Sequence, residues 1–226
     1  MIYILNSLRK CDFFVTLTEN DKKQWKRINN IIVIPNPTCL KPVSSSSLKS
    51  KKVISIGRLD PQKGFDMLIS AWQIVSKNHK DWCLDIYGDG SLRNELERQI
   101  INLGLSTCKI HSATNDIYNK YLESSIYVMS SVYEGFGLVL TEAMSFGIPC
   151  ISFDCPFGPS DIISNNKDGI LVEPNNINKL AEAICFLIEN EDKRIEFGNE
   201  AKINVQKFSA ENIMPQLDKL FRSLVK

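Results

Sequence analysis

The chain has 226 residues, of which 43% are hydrophobic and 23% are charged, and its formal net charge is +1 at pH 7. This balance is typical of a soluble globular protein of one domain, or one domain with attachments, with enough apolar side chains for a sizeable core. The interspersed charges argue against a nucleic-acid-binding protein and against a disordered acidic tail. No apolar run approaches the roughly 20 residues of a membrane-spanning helix, and Met1–Leu5 lacks signal-peptide features, so we predict a cytoplasmic protein.

The seven cysteines are odd in number and include no Cys-x-x-Cys pair, so neither a disulfide framework nor a zinc knuckle is predicted. Cys83, Cys108 and Cys150 lie within apolar runs and are expected to be small buried hydrophobic residues. Because only two histidines occur, His79 and His111, the sequence predicts no metal site.

Two short apolar runs near the start of the chain, Phe13–Leu17 and Ile31–Ile34, predict strands. The second run ends at Pro35-Asn36-Pro37, since proline has no backbone donor for a sheet. Residues 41–52 are rich in serine and lysine and predict a surface linker.

From Val53 onward, strands and helices are predicted to alternate, because continuously apolar runs alternate with apolar stripes at helical spacing. The predicted strands are Val53–Ile56, Cys83–Tyr87, Cys108–Ile110, Ile126–Met129 and Cys150–Phe153. Helices are predicted from residue 65, where Phe65, Leu68, Ile69, Trp72 and Val75 form one stripe, over residues 92–103, 115–124 and 137–146, and from near residues 177, 192 and 210.

Alternation of helices with continuously apolar strands indicates an α/β fold with a parallel sheet covered on both faces. Right-handed crossovers make such a sheet doubly wound and Rossmann-like. Ligands of these sheets bind beside the carboxyl ends of the strands, near the point where the strand order reverses. Three glycine-containing segments are predicted there, namely Gly57-Arg58, Gly88-Asp89-Gly90 and Glu134–Gly137.

The segment Gly57–Gly64 leaves a strand and enters a helix. Gly57 permits a tight turn and close approach of a ligand. Arg58 has the planar donor fork that suits phosphate, and Lys63 adds a point charge on the same loop. Together they suit a diphosphate leaving group, whereas an ordinary solvated basic loop is the alternative interpretation.

The segment Glu134–Glu142 places two glycines at a helix N-terminus, where backbone N–H groups form an anion site. Its two carboxylates accept hydrogen bonds only, which suits the hydroxyls of a sugar or a ribose, although two ordinary surface acids are the alternative. By itself Gly88-Asp89-Gly90 predicts a turn. The segment Phe157–Asp161, before a short predicted helix at Ile162-Ile163, predicts either a plain turn or a wall of a sugar pocket.

In this order the segments resemble the C-terminal domain of family 4 retaining glycosyltransferases of the GT-B fold. The likeness extends from about residue 12 to the end and depends on the ordered set. Glu134 and Glu142 match the family's E-x7-E pair. The matching pieces are Ile34–Pro37, Gly57–Leu59, Gln62–Gly64, Tyr87–Gly90, Ser131–Gly137, Glu142–Met144, Gly147–Pro149 and Asp168-Gly169.

The resemblance implies transfer of a sugar from a nucleotide-sugar, such as a UDP- or GDP-sugar, with retention of anomeric configuration. Arg58 and Lys63 would bind the donor diphosphate and Glu134 the donor sugar hydroxyls, which makes these three the catalytic candidates. The family needs no bound metal, and no convincing Asp-x-Asp site occurs here.

The other implied contacts hold the nucleotide-sugar in place. Glu142 would hold the ribose, the backbone of residues 136–138 would meet the sugar and phosphate, and Gly88 would line the nucleotide pocket. The chain departs from the family at residues 112–114, where it has Ser-Ala-Thr and the family often has a glycine. The contacts that this segment would make with the nucleotide base are therefore not implied by the resemblance. The binding candidates are Gly57, Arg58, Lys63, Gly88, Phe136, Gly137, Leu138 and Glu142.

The family has two domains, and the acceptor site lies on the first. The resemblance therefore implies that residues 1–35 are the last strand and helix of that domain with a linker strand. Residues 36–208 would be the donor domain, and residues 209–226 a helix that packs back on the first domain. A glycan or lipid-linked acceptor would bind through the first domain, in cell-surface polysaccharide synthesis, with peripheral attachment to the inner membrane face as an option.

A half-enzyme of this kind is expected to bind its donor but to transfer sugar poorly, and an open strand at residues 13–17 favours self-association. A non-catalytic nucleotide-sugar-binding module is the main alternative, since half of a cleft binds a donor without positioning an acceptor. An NAD-dependent dehydrogenase would need Gly-x-Gly-x-x-Gly after its first strand, which Gly57-Arg58-Leu59 does not supply. A hydrolysing sugar-nucleotide epimerase lacks this order of segments.

Overall fold

A computed structural model of the chain describes residues 11–38 and 40–225; Met1–Leu5, Cys39 and Lys226 lie outside the described residues. The described strands are β1 (Phe14–Thr16), β2 (Ile31–Val33), β3 (Lys52–Ile56), β4 (Cys83–Tyr87), β5 (Cys108–His111), β6 (Ile126–Met129), β7 (Cys150–Phe153) and β8 (Gly169–Val172). The described α-helices are α1 (Glu19–Lys22), α2 (Phe65–Val75), α3 (Arg93–Asn102), α4 (Ile117–Leu122), α5 (Leu138–Ser145), α6 (Pro159–Ile162), α7 (Ile177–Glu189), α8 (Glu191–Asn204) and α9 (Ala210–Leu224).

Strands β3 to β8 form one parallel sheet in the order β5-β4-β3-β6-β7-β8. The chain starts this sheet at its centre with β3, builds outward to β5, and then crosses back to β6. The order reverses between β3 and β6, as it does in dinucleotide-binding folds. The prediction of a doubly wound, Rossmann-like sheet is therefore confirmed.

Two apolar layers cover the sheet, one on each face. The first contains the side chains of α2, α3 and α7, and it includes the whole predicted stripe of α2 from Phe65 to Val75. The second contains α4, α5 and α8, with Tyr121, Leu140 and Ala201 among its buried residues. Because helices cover both faces, the strands are mainly apolar, and in Ile126–Met129 every residue is buried.

The structure adds one strand that was not predicted and corrects three local predictions. The edge strand β8 was not predicted, since its four residues begin with glycine after a polar turn. The short helix α6 begins at Pro159 rather than Ile162, because proline suits a first helical position. The predicted surface linker 41–52 is wrong at its end, where Leu48 is 6% exposed and β3 begins at Lys52. Cys108 and Cys150 are buried as predicted, whereas Cys83 is only half-buried.

The first described segment packs on the end of the chain. Strand β1 pairs in parallel with β2 in a separate two-stranded sheet. Ile34, just after β2, packs with Ile213 and Leu220 of α9 in a small apolar cluster. Asn20 Nδ2 donates to Asp161 Oδ2 on α6 at 2.8 Å, which joins this segment to the main domain. Within the described ranges, none of the helices combines the length and apolar character required to cross a bilayer.

Candidate active site

A cleft of about 440 Å³ lies at the carboxyl ends of β3 and β4, where the strand order places ligand sites. A second cavity of about 430 Å³ lies between β8 and α7, away from these strand ends. The predicted residues Gly57, Arg58, Gly88 and Glu142 all line the first cleft. Its lining consists of Ile56, Gly57, Arg58, Tyr87, Gly88, Asp89, Ala113, Thr114, Ile117 and Glu142.

The floor of this cleft is formed by two loops whose backbones touch. A Cβ on Gly88 would lie 1.8 Å from the carbonyl oxygen of Gly57, and a Cβ on Gly90 would lie 2.4 Å from that of Leu59. The backbone N–H of Gly57 donates to the carbonyl of Tyr87 at 3.0 Å. Glycine is required at residue 88 because no larger residue fits this approach.

Arg93, which the sequence analysis missed, fixes the second loop. Its Nη2 donates to the carbonyl of Gly88 at 2.7 Å and to Asp89 Oδ1 at 2.8 Å. Asp89 Oδ2 also accepts from the backbone N–H of Ala113 at 3.0 Å. The hydrogen bond from Arg93, followed by that from Ala113, lowers the pKa of Asp89. The i,i+4 spacing of Asp89 and Arg93 was a sequence signal for this pair.

Lys63 and Glu134 form a shielded ion pair beside the cleft. Lys63 Nζ lies 2.6 Å from Glu134 Oε1, and their side chains are 16% and 9% exposed. Ser131 Oγ donates to the same carboxylate oxygen at 2.6 Å, a contact that the sequence analysis did not predict. The Lys63 chain lies over Gly57, since a Cβ on that glycine would be 3.3 Å from Lys63 Cγ. The ammonium thus lies next to the cleft without being part of its lining.

Arg58 lines the cleft with a side chain that is 74% exposed. Its Nη2 lies 3.2 Å from Asp60 Oδ2 on the same loop. The other carboxylate oxygen of Asp60, Oδ1, is buried without a hydrogen-bond partner among the residues that the structure describes. The guanidinium of Arg58 is therefore held by one exposed contact and is available to a ligand.

Glu142 is half-buried on α5 and faces the cleft from the opposite side. Its Oε2 accepts from the Tyr121 hydroxyl at 2.9 Å, and Tyr121 is fully buried, stacked on Phe146 at 5.0 Å between ring centroids. Burial raises the pKa of Glu142, and the hydrogen bond from Tyr121 opposes this effect. No sequence pattern indicates this contact, because Tyr121 belongs to the buried, apolar face of α4.

The N-terminus of α5 contains the other predicted residues. Gly137 has a φ of +99°, in the left-handed region that favours glycine. Phe136 is 3% exposed and packs edge-on against Phe208 at 5.4 Å, whereas Leu138 is exposed. The first N–H groups of a helix have no intrahelical acceptor and can bind an anion. Phe136, Gly137 and Leu138 lie outside the lining of the 440 Å³ cleft, on the side of Glu134.

The comparisons with known proteins identify the family. The family model described as "Glycosyl transferases group 1" matches residues 40–204. The chain belongs to the group 1 glycosyl transferases. It is 34% identical over 211 residues to an uncharacterized glycosyltransferase of Haemophilus influenzae, covering 91% of this chain and 60% of that protein. It is 32% identical over 226 residues to poly(ribitol-phosphate) alpha-N-acetylglucosaminyltransferase of Staphylococcus aureus, covering 98% of this chain and 46% of that protein.

Solved structures agree with this assignment. A Staphylococcus aureus TarM mutant in complex with fondaparinux, alpha-GlcNAc-glycerol and UDP superimposes with a TM-score of 0.88 at 32% identity. The match covers 97% of this chain and 46% of that one. This group 1 glycosyl transferase chain therefore has the fold of one half of the GT-B architecture, the C-terminal half, and it spans about half the length of these relatives.

The far end of the cleft in this glycosyl transferase is formed by Ala113 and Thr114, in the segment that departs from the family's pattern. The backbone N–H of Ala113 already binds Asp89. Next to it, the Tyr87 ring stacks on His111 at 4.6 Å with an interplanar angle of 17°. His111 Nε2 lies 2.7 Å from Asp85 Oδ1, which fixes the imidazole behind the tyrosine.

Proposed function

We propose that the chain is the donor-binding half of a retaining glycosyltransferase that takes a nucleotide-sugar, such as a UDP- or GDP-sugar. The observation that carries this proposal is the convergence of Arg58, the Gly88 turn and Glu142 on one cleft at the switch point, with the Lys63–Glu134 pair beside it. A cationic fork, a bare backbone turn and an acceptor-only carboxylate match a diphosphate and a ribose.

Arg58 would bind the diphosphate from the open side of the cleft. Lys63 would bind it from the Gly57 side, since its chain lies over that glycine. Glu142 would accept hydrogen bonds from the ribose hydroxyls, and Glu134 from the hydroxyls of the sugar. The exposed N-terminus of α5, beside Glu134, would meet the sugar and phosphate through backbone N–H groups.

In the transfer, the bond between the anomeric carbon and the terminal diphosphate oxygen breaks, and a bond from that carbon to the acceptor oxygen forms. The proton of the acceptor hydroxyl passes to the leaving diphosphate. Negative charge develops on the leaving diphosphate, and fixed cations placed there stabilise the transition state. Arg58 and Lys63 would supply that charge without a bound metal. On donor binding, the Lys63 ammonium would weaken its contact with Glu134 and bind the diphosphate. The Glu134 carboxylate could then accept hydrogen bonds from the sugar hydroxyls.

The names of the relatives support the proposed nucleotide-sugar donor and the proposed class of acceptor. A Staphylococcus aureus relative is named for transfer of alpha-N-acetylglucosamine to poly(ribitol-phosphate), and the structure similar to this chain contains UDP. We infer a glycan or lipid-linked acceptor that binds outside the donor half, and a location in the cytoplasm or at the inner membrane face. A non-catalytic nucleotide-sugar-binding module is the second candidate, since the chain covers only 60% and 46% of these two relatives.

The role of Arg58 is tested by calorimetric titration of Arg58→Ala with UDP and GDP. Loss of a charge-assisted hydrogen bond should cost about 1.5–3 kcal/mol, roughly 10- to 100-fold in affinity, while the fold is kept. Arg222→Ala is the matched control, because this arginine is 79% exposed on α9, away from the cleft. Unchanged affinity of Arg58→Ala for both nucleotides would remove Arg58 from the site.

Glu142 and Glu134 are expected to bind different parts of the ligand, the ribose and the sugar. Glu142→Gln should weaken nucleoside diphosphate and nucleotide-sugar alike, because both contain the ribose. Glu134→Gln should weaken the nucleotide-sugar more, since only that ligand contains the sugar. Paired titrations of both variants with UDP and UDP-N-acetylglucosamine measure this difference. Equal losses for both ligands in both variants would contradict the assignment.

A further inference from the structure

We propose that His79, Cys185 and Glu189 bind one divalent transition-metal ion, and the chemistry of their ligand atoms favours zinc. This cluster lies where the turn after α2 meets the last turns of α7. The cleft lies at the other end of α2, which begins after Gly64 and has 11 residues, about 16 Å of helix. The proposed metal site is therefore separate from the donor site.

The three ligand atoms are already close together. One nitrogen of His79, the sulfur of Cys185 and one carboxylate oxygen of Glu189 all lie within 4.8 Å of one another. His79 Nε2 and Glu189 Oε1 are 3.1 Å apart. A tetrahedral zinc ion with bonds of about 2.0–2.3 Å places its ligand atoms roughly 3.2–3.8 Å apart. Shifts of about one ångström in the positions of the ligand atoms would thus bring them within bonding distance of one ion.

The backbone that holds these ligands is well supported. Cys185 and Glu189 are one helical turn apart on α7, so their side chains project from the same face. His79 follows α2, and its backbone N–H donates to the carbonyl of Val75 at 3.2 Å. Helices α2 and α7 belong to the same buried apolar layer. The ion would consequently bind between two elements that are already fixed.

The three ligand atoms of the proposed site favour some metal ions over others. A thiolate and an imidazole favour zinc, cobalt or nickel over magnesium and calcium, which prefer oxygen ligands. The thiolate and the carboxylate together balance the charge of a divalent ion. The Glu189 side chain is 58% exposed and that of His79 is 14% exposed, so water can reach the ion as a fourth ligand.

No metal site was predicted from the sequence, because it contains only two histidines and no Cys-x-x-Cys pair. Here the histidine and the cysteine are far apart in the sequence, and only the packing of α2 on α7 brings them together. Bound zinc would cross-link these two helices and stabilise the fold. Its presence or absence is independent of whether the cleft binds a nucleotide-sugar.

Zinc titration of the reduced protein against a chromophoric chelator tests the proposal. The wild-type chain should bind one equivalent, and Cys185→Ser and His79→Gln should each bind more than about tenfold more weakly. Cys83→Ser is the matched control, because Cys83 is a free, half-buried cysteine outside the cluster. Glu182→Gln on α7 is the corresponding control for Glu189→Gln, and both controls should keep wild-type affinity.

Cobalt(II) provides a readout that does not depend on any variant folding. Coordination by Cys185 should produce a thiolate-to-cobalt charge-transfer band in the wild-type protein, and zinc should displace it. Absence of this band, or of saturable zinc binding, would overturn the proposal. So would zinc affinity that is unchanged in Cys185→Ser, or lost equally in Cys83→Ser.

Discussion

Glu142 is subject to two opposing effects within one side chain. Recognition of ribose hydroxyls favours the ionised carboxylate, whereas burial beside Tyr121 and the apolar layer of α5 disfavours the charge and raises its pKa. The Tyr121 hydroxyl, 2.9 Å away, offsets part of this cost and sets the position of the carboxylate. Such a group contributes to binding at the expense of the stability of the ligand-free protein.

We predict that Glu142→Gln weakens nucleotide binding but does not destabilise the ligand-free fold at neutral pH. The folded-state pKa of Glu142 lies above its ordinary value of 4.5, so the wild-type protein loses stability as pH rises from that value through the folded-state pKa. Glutamine has no such titration and still accepts from Tyr121. The advantage of the variant in melting temperature should therefore grow from about pH 4 to pH 7.

Thermal unfolding across this pH range measures the effect. Glu95→Gln, which replaces an exposed acid on α3, is the control and should show no comparable change in the difference from wild type. A melting-temperature difference for Glu142→Gln that shrinks with rising pH would contradict the sign of the shift.

The loops after β3 and β4 act as one element, because their backbones are in contact. Gly88 contacts the carbonyl of Gly57, and Arg93 donates a hydrogen bond to the Gly88 carbonyl. The position of Arg58 in the cleft depends on this contact, since it directly follows Gly57. The separation of the two loops thus sets the width of the cleft.

We predict that Gly88→Ala lowers affinity for nucleoside diphosphates and the free energy of unfolding together. An added Cβ would lie 1.8 Å from the Gly57 carbonyl oxygen, so one loop must move. Overpacking of this kind typically costs about 1–3 kcal/mol. Gly135→Ala is the matched control for the free energy of unfolding, because a Cβ there meets no atom within 4 Å. Denaturant unfolding and calorimetry measure both quantities, and wild-type behaviour of Gly88→Ala would show that the loops are not rigidly coupled.

At this scale the sequence predicted the strands better than the contacts between loops. The bounds of Cys83–Tyr87 and Ile126–Met129 were predicted to the residue, because both runs are mainly apolar, and Ile126–Met129 is buried at every residue. Leu48 was assigned to a surface linker, although its side chain is buried in the apolar layer that contains Ala201, and its carbonyl accepts from Arg194 Nε at 3.1 Å. No local pattern contains that information.

The candidate site shows the same limit. Arg58, Lys63, Glu134 and Glu142 could be named from the residues before and after strands. The pairing of Lys63 with Glu134, its partner Ser131 and the role of Tyr121 follow from packing between distant segments. Sequence reasoning therefore finds groups that could touch a ligand, but it does not find those that position them.

The whole molecule brings the candidate ligand groups to the edge of the sheet formed by the carboxyl ends of its strands, from both sides of the switch point between β3 and β6. Arg58 and Gly88 follow β3 and β4, and Glu134 and Glu142 follow β6. The sheet order and the two covering layers make β3 to β8 and their helices one folding unit, with both faces of the sheet buried. The cleft is open to solvent on the side of Arg58. A partner surface on that side would be needed to position an acceptor and to exclude water during transfer.

We predict that these 226 residues, assayed by themselves, bind a nucleotide-sugar but transfer the sugar at a rate several orders of magnitude below that of a complete relative. Holding donor and acceptor in line can lower a barrier by roughly 7–11 kcal/mol, and the chain spans only 46% of its Staphylococcus aureus relative. The measurement is a transfer assay of both proteins with the same UDP-sugar and acceptor, next to a calorimetric titration of the donor. Donor binding with negligible transfer is the expected result. Turnover comparable to that of the complete relative would show that an entire active site fits within this chain, and absence of donor binding would contradict the donor-half proposal itself.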